Sequence, residues 1–246
     1  MAKAFLIDTS RCTACRGCQI ACKEWHELPA NKTKQTGSHQ NPPDLNPNNY
    51  KLLRFSEHLT GDTIRWYFFP DQCRHCTEPP CAEIAADYAE GAVIHDSGTG
   101  AVIYTDKTRN ISEEGFQNMR DACPYDIPRR DAVTGRMGKC TMCHERVARG
   151  LRPVCVNTCP TGAMNFGERD EMLALAKQRL AAVLKEHPEA VLTGAEDSRV
   201  IYLLMDDPKK YHEYAAAHVT HGLDRKAFLA RLGSPVRKGL RALLST

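Results

Sequence analysis

The sequence lacks any long hydrophobic run. Its longest apolar stretch is Val200–Met205, far short of the roughly 20 residues that a membrane-spanning helix needs. The N-terminal residues contain no secretory hydrophobic region, because Asp8 and Arg11 arrive almost at once. No basic run exceeds a few residues, and a formal net charge of +3 is too small to indicate nucleic-acid binding. We therefore expect no transmembrane helix, no export signal of its own and no nucleic-acid partner.

The aliphatic side chains alone are predicted to contribute only modestly to the stability of the core. Hydrophobic residues make up 42% of the 246 residues, and the mean hydropathy is −0.47. The 12 cysteines amount to about 5% of the residues, which is below the density of a disulfide-stapled miniprotein. A protein of this length can bury a real core. Something other than disulfides is therefore expected to add cohesion.

What the sequence does contain is a set of closely spaced cysteines. They form four runs: Cys12-x2-Cys15-x2-Cys18-x3-Cys22, Cys73-x2-Cys76-x4-Cys81, the single Cys123, and Cys140-x2-Cys143-x11-Cys155-x3-Cys159. A structural zinc site would need two C-x2-C pairs around one tetrahedral ion, and disulfides between neighbouring C-x2-C cysteines would be strained. An unbroken C-x2-C-x2-C-x3-C run instead fits [4Fe–4S] cubanes, because three thiolates bind one cluster and the fourth reaches another. The pattern therefore favours iron–sulfur clusters over zinc and over disulfides.

This cross-over rule assigns every cysteine to one of three clusters. The first run pairs with the fourth, and the second run pairs with the third. The predicted ligands are Cys12, Cys15, Cys18 and Cys159 for cluster a; Cys22, Cys140, Cys143 and Cys155 for cluster b; and Cys73, Cys76, Cys81 and Cys123 for cluster c. We therefore expect three [4Fe–4S] clusters. Four thiolates on each cluster leave no iron open to substrate, so electron transfer is predicted and no catalytic residue is expected on this chain.

A fourth cluster is missing its entire ligand set. Its positions are held by Glu113, Phe116, Met119 and Ala85, whereas the Cys123-Pro that ends the run is kept. We interpret Cys123 as retained because it completes cluster c. Phe116, Met119 and Ala85 are expected to fill the vacated space with apolar volume, since an empty cavity there would be costly.

Three stretches carry a resemblance to a known family: DTSRCTACRGCQIACKEW at 8–25, ACPYDIPR at 122–129 and GKCTMCHERVARGLRPVCVNTCPTGAM at 138–164. They resemble the iron–sulfur electron-transfer subunits of molybdopterin oxidoreductases, which have four ferredoxin-type cysteine runs on one polypeptide. TGSHQNPPDL at 36–45 and the following KLLRF are similar to formate dehydrogenase β subunits. The three-cluster variant resembles the soluble molybdenum- or tungsten-containing formate dehydrogenases of sulfate reducers.

The resemblance implies a role and a partner. The protein would pass electrons from a large molybdopterin catalytic (α) subunit to an external acceptor such as a cytochrome c. The same role in another molybdopterin oxidoreductase or a hydrogenase complex, and a free-standing polyferredoxin, stay open as alternatives. The resemblance also implies a periplasmic location, reached by export alongside a signal-bearing partner, with a cytoplasmic location as the alternative.

The expected fold class is α+β, with two ferredoxin-like units of the bacterial 2[4Fe–4S] type, one of them lacking a cluster. Residues 1–64 with 131–170 are predicted to form the first unit, and residues 65–130 form the second, inserted within it. Residues 171–246 would form a C-terminal extension of helix and strand that braces this core or docks on a partner. The tail, 234–246, can form a basic helix.

Local patterns predict individual elements. Strands are expected at Tyr50–Phe55, Thr63–Phe69 and Val200–Met205, with a β-hairpin formed by Ala92–His95 and Ala101–Tyr104. Apolar residues at helical spacing predict an amphipathic helix over 168–187, which Pro188 ends. Residues 31–50 are polar and rich in proline and asparagine, so they predict a surface loop that is able to drape over a partner.

Several polar side chains near the cysteines are candidates for secondary roles. His75 and His144 stand beside predicted ligands and can hydrogen-bond cluster sulfur, or they can be surface histidines. Lys139 can raise a local potential or can be solvated, and His39 can face the catalytic subunit or stabilise a turn. Helix-end and turn roles, rather than acid–base roles, are predicted for Asp121 and Asp126.

Overall fold

The computed structural model describes residues 3–218, and its regular elements are both helices and strands. The strands are β1 (Lys3–Asp8), β2 (Leu52–Thr60), β3 (Thr63–Asp71), β4 (Val93–His95), β5 (Val102–Tyr104), β6 (Met164–Glu168), β7 (Val191–Thr193) and β8 (Val200–Leu204). The helices are α1 (Gly17–Trp25), α2 (Pro80–Tyr88), α3 (Glu113–Asp121), α4 (His144–Val147), α5 (Val154–Asn157), α6 (Arg169–Val183) and α7 (Pro208–Tyr211). This mixed content agrees with the predicted α+β class. Among the described helices, none is long and apolar enough to cross a membrane.

The largest sheet has four strands in the order β6-β1-β8-β7. Strand β1 runs antiparallel to β6 and parallel to β8, and β7 pairs antiparallel with β8. Alternate residues of β1 point to opposite faces. Ala4 and Leu6 pack against α6, whereas Phe5 and Ile7 belong to the core cluster that includes Cys155. The cysteine loops therefore lie against one face of this sheet, and α6 covers the other.

Two hairpins complete the β structure. The strands expected at 50–55 and 63–69 are confirmed as β2 and β3, which form one long hairpin with Thr60 opposite Thr63. Gly61 occupies the two-residue turn with a φ of 59°, a conformation that glycine adopts without strain. The hairpin expected from 92 to 104 is also confirmed, as β4 and β5, with His95 opposite Val102.

The segment after residue 168 contributes to the sheet rather than only covering it. The expected helix is confirmed as α6, but it ends at Val183 rather than at residue 187, and Leu184 just beyond it is 39% exposed. The expected strand at Val200–Met205 is confirmed as β8, whose five residues are all buried. Because β8 lies between β1 and β7, this segment supplies an inner strand. The predicted basic helix at 234–246 lies outside the described residues.

A series of ion pairs connects the loop that precedes β2 with the hairpin and with the Cys123 loop. Oδ1 of Asp71 lies 2.8 Å from Nη1 of Arg74, and Oδ2 of Asp71 lies 2.7 Å from Nε of Arg54. Nη2 of Arg54 lies 2.6 Å from Oδ1 of Asp44. Asp44 also lies 2.6 Å from Arg129. Although burial raises it, the charges of Arg74 and Arg54 lower the pKa of Asp71 to about 2. The otherwise irregular segment 31–50 is therefore anchored at its C-terminal end.

Candidate metal centres

Three of the cysteine runs use the same backbone conformation. Ala14, His75 and Met142 each precede the second cysteine of a C-x2-C pair, and their φ values are 57°, 49° and 61°. A left-handed conformation costs about 1 kcal/mol or more for such residues. It turns the amide toward the first cysteine, so the N–H groups of His75 and Met142 lie 3.4 Å from Sγ of Cys73 and Cys140. The loops thus direct N–H donors at sulfur, as iron–sulfur ligation requires.

The first set of predicted ligands surrounds one cavity, which we call cavity a. Its empty space is about 330 Å³, partly open to solvent, and its cysteines are Cys12, Cys15, Cys18 and Cys159. Burial raises the pKa of the Cys12 thiol to about 11, although the Ala14 N–H opposes it. Burial also acts on Cys159, but backbone N–H groups, that of Met164 first, lower its pKa overall. Cys15 is exposed, so this cavity reaches the surface.

A second cavity, cavity c, is lined by the cysteines of the second and third runs. Its empty space is also about 330 Å³, and its cysteines are Cys73, Cys76, Cys81 and Cys123. Burial raises the pKa of Cys76, and the charges of the other three thiolates raise it further. Burial raises the pKa of Cys123 to about 12, against the Ile127 N–H, which lies 3.5 Å from its sulfur. Cysteines from two runs that are distant in sequence therefore line one cavity, which is partly open to solvent.

The remaining four cysteines, at site b, are all buried: Cys22, Cys140, Cys143 and Cys155. Burial raises the pKa of Cys22, and the charges of Cys140, Cys155 and Cys143 raise it further. Burial and then the Cys73 thiolate of cavity c raise the pKa of Cys140. Cys155 in turn interacts with Cys18 of cavity a. Site b therefore adjoins both cavities.

A buried lysine lies between cavity a and site b. Lys51 is 2% exposed, and its Nζ donates to Oε1 of Gln72 at 2.5 Å. Although burial opposes it, the charges of the Cys18 and Cys155 thiolates raise the pKa of Lys51, so the ammonium stays charged. Sequence reasoning missed this residue, because its partners come from runs far away along the sequence.

His75 and Lys139, two of the predicted accessory residues, are buried beside the cysteines. His75 is fully buried, and its Nε2 lies 3.5 Å from Sγ of Cys140, so it contacts the sulfur of a predicted ligand. Burial, followed by the charge of Lys139, lowers the pKa of His75 well below its ordinary value, which keeps the ring neutral. Lys139 is itself only 5% exposed and lines cavity c, so it is not a solvated surface lysine.

His26, rather than the expected His144, lies close to a cysteine sulfur. His144 Nδ1 lies 3.4 Å from the Glu145 carboxylate. His26, which the sequence reasoning did not single out, has its Nε2 at 3.7 Å from Sγ of Cys143. His26 follows α1 directly, and the spacing of four residues from Cys22 is the only sequence signal that would have suggested it.

The other predicted polar residues lie away from the sulfurs. The His39 ring packs against Phe55 and Trp66, with centroid distances of 5.8 and 5.4 Å. Asp121 is the last residue of α3, and Asp126 lies in a turn with a φ of 46°. The helix-end and turn roles predicted for these two carboxylates are confirmed.

The run that lacks cysteines folds as regular helix α3. Ser112 caps it, because its Oγ accepts the N–H of Gly115 at 3.1 Å. Phe116, Met119 and Ala85 are buried together in one apolar cluster, as expected. The residues at the positions of the missing fourth ligand set therefore pack as helix core.

The donor set fits iron–sulfur clusters better than zinc. Within residues 3–218, no three His, Cys, Asp or Glu side chains are arranged to hold a single metal ion. The thiols of cavities a and c instead surround a space, and backbone N–H groups point at several of their sulfurs. Buried thiols with raised pKa values need a cationic centre to become thiolates. Four thiolates around one space are the ligand set of a [4Fe–4S] cluster.

Comparisons with known proteins agree with this chemistry. A family model described as a 4Fe-4S dicluster domain matches residues 64–169. Formate dehydrogenase 2 subunit beta (cytochrome c-553) of Nitratidesulfovibrio vulgaris is 58% identical over 216 residues, which cover 87% of this chain and 99% of that protein. Formate dehydrogenase subunit beta of Megalodesulfovibrio gigas is 52% identical over 217 residues, covering 88% of this chain and 100% of that protein. Formate dehydrogenase-O iron-sulfur subunit of Escherichia coli is 37% identical over 217 residues, covering 85% of this chain and 69% of that protein.

Proposed function

This protein belongs to the family of formate dehydrogenase iron–sulfur (β) subunits, and we propose that it relays electrons in such a complex through three [4Fe–4S] clusters. The observation that carries the number three is the sharing of twelve cysteines among cavity a, site b and cavity c. Each cluster would exchange one electron at a time, at a potential that burial and hydrogen bonds to sulfur adjust. The protein's own residues hold, bury and tune these centres.

Iron analysis tests the number and the pairing together. The intact holoprotein is expected to hold twelve irons, four for each cluster. Cys123→Ala removes the fourth ligand of cavity c and should lower the count to about eight, whereas Ala122→Ser, beside it, should leave it unchanged. Sixteen irons, three tightly bound zinc ions, or twelve irons in Cys123→Ala would each contradict the proposal.

The partner is proposed to be a catalytic α subunit with a molybdopterin cofactor of molybdenum or tungsten. The support is the near-complete match to β subunits of formate dehydrogenases. Purification of the tagged protein from its native cells should recover a large subunit, and the complex should oxidise formate while the isolated β subunit does not. A redox-active monomer without a partner would instead support the polyferredoxin alternative.

A cytochrome c is the proposed electron acceptor, since one relative's name includes cytochrome c-553.

We also propose that the complex is exported together, with the signal on the partner. Cell fractionation tests the location: the protein should be periplasmic when the partner is present and cytoplasmic when the partner's gene is deleted.

We propose that a two-unit organisation brings the four cysteine runs together. The first unit is 1–64 with 131–170, the second is the inserted 65–130, and 171–246 follow as an extension.

A further inference from the structure

One residue contacts ligands of two different clusters. His75 belongs to the C-x2-C loop of cavity c, and its backbone N–H donates to Sγ of Cys73 in that loop at 3.4 Å. Its side chain extends the other way, and Nε2 lies 3.5 Å from Sγ of Cys140, a cysteine of site b. The ring is fully buried, so no water competes for either nitrogen.

The hydrogen bonds of the ring fix its tautomer. Nδ1 of His75 accepts the backbone N–H of Val102 at 3.0 Å, so it carries no proton. In a neutral imidazole the proton must then be on Nε2. The contact with Cys140 is therefore a donated N–H···S bond, with the sulfur as acceptor.

Val102 also binds a second side chain, that of Lys139, through its carbonyl oxygen rather than its N–H. Lys139 precedes Cys140 of site b, yet it lines cavity c, and its Nζ lies 4.7 Å from the ring centroid of Tyr104. Nζ donates to the carbonyl of Val102, whose N–H orients His75. His75 from the loop of cavity c thus places a donor beside site b, and Lys139 from the loop of site b places a charge beside cavity c. Val102 binds both side chains.

We infer that His75 is a tuning residue that raises the reduction potential of cluster b and couples it to the loop of cluster c. The reason is that reduction adds negative charge to the cluster and its sulfurs, which strengthens a donated N–H bond and favours the reduced state. Because the bond is donated to a ligand of cluster b, it shifts the equilibrium of the electron between clusters b and c toward cluster b. This inference rests on the proposed three-cluster function.

A matched pair of variants isolates the hydrogen bond. His75→Met removes the donor, and His75→Gln keeps an N–H of similar reach on a side chain of nearly the same shape. Both leave the backbone N–H to Cys73 in place and strain the left-handed backbone equally. Iron content is measured first, and the midpoint potential of each cluster then follows from an EPR-monitored redox titration.

We expect His75→Met to keep twelve irons and to lower one midpoint potential, with His75→Gln restoring most of it. The electron equilibrium between clusters b and c should shift at least tenfold, which corresponds to about 59 mV for one electron. The potential that moves should be one of the two that persist in Cys123→Ala, because it belongs to cluster b. His26→Met, which removes the half-buried histidine near Cys143, should cause a smaller change, since water can reach that contact. Three unchanged potentials in a His75→Met protein with twelve irons would overturn the inference.

A second measurement tests the inference even if both His75 variants lose iron. The His26→Met protein, labelled with ¹⁵N-histidine and reduced, should show a ¹⁵N coupling to a cluster by pulsed EPR, because His75 remains bonded to Cys140. Absence of that coupling would overturn the inference on its own. A wild-type iron count other than twelve would contradict the three-cluster function instead, so the two failures are distinguishable.

Discussion

Replacing Met119 with alanine tests whether the run without cysteines has become ordinary core. Met119 is fully buried in the cluster that contains Phe116 and Ala85. The change removes three heavy-atom groups, which at about 0.8 kcal/mol each represent about 2.4 kcal/mol of transfer free energy. The cavity left between α2 and α3 adds to this, within the range of about 2–5 kcal/mol for such substitutions. We therefore expect a loss of about 3 kcal/mol in the free energy of unfolding.

The assay is the temperature at which the holoprotein loses its cluster absorbance, compared at one heating rate. A loss of about 3 kcal/mol corresponds to a decrease of about 6–12 °C for a protein of this size. Gln117→Ala, on the exposed side of the same helix, is the control and should shift the temperature by no more than about a degree or two. Equal stability of the two variants, or a wild-type iron count of sixteen, would refute the view that apolar side chains occupy the fourth site.

The remaining predictions concern buried charges. Lys51→Met removes a cation between cavity a and site b; a unit charge about 10 Å from a redox centre is worth about 1.7 kcal/mol at an effective dielectric constant of about 20, or about 70 mV. The midpoint potentials of clusters a and b should fall in a redox titration and recover in Lys51→Arg, whereas unchanged potentials would contradict the placement. Asp71→Asn leaves Arg54 and Arg74 without their shared carboxylate and should cost about 3–5 kcal/mol, measured as faster cluster loss. Because the pKa of Asp71 falls from 3.8 to about 2 on folding, about 2.4 kcal/mol of this advantage is present well above pH 3.8 and is lost as the pH falls through about 2. The difference between wild type and variant should therefore narrow from about pH 5 to about pH 3, and a difference that does not narrow would show another cause.

The cysteine spacing allowed the chemistry of the site to be predicted, because a cluster motif is local in sequence. The run from Cys12 to Cys22 already predicts three thiolates for one cluster and a fourth for another. Hairpin β4–β5 was equally local, since a Gly-containing turn separates two short apolar runs. Features of this kind need only neighbouring residues, so the sequence displays them directly.

Other features depend on partners far away along the sequence, and local patterns could not show them. Lys51 and Arg74 look like ordinary surface charges, yet both are buried, since thiolates and Asp71 surround them. Strand β8 was recognisable as buried, but its place between β1 and β7 follows from packing of both its faces. His75 was a candidate for sulfur contact, but nothing local indicated that the sulfur would belong to Cys140.

The place of β1 in the principal sheet has a consequence for biosynthesis. Strand β1 is made before both of its neighbours, since β6 (Met164–Glu168) and β8 (Val200–Leu204) lie far later in the sequence. At about 5–20 residues per second, the first cysteine run waits on the order of 10–30 s for Cys155 and Cys159. Cavity c draws on a shorter stretch, from Cys73 to Cys123, so its last ligand follows its first by only about 3–10 s at the same rate. If each cluster assembles once its last ligand has been made, cluster c is expected first, and clusters a and b follow only when Cys155 and Cys159 have been made.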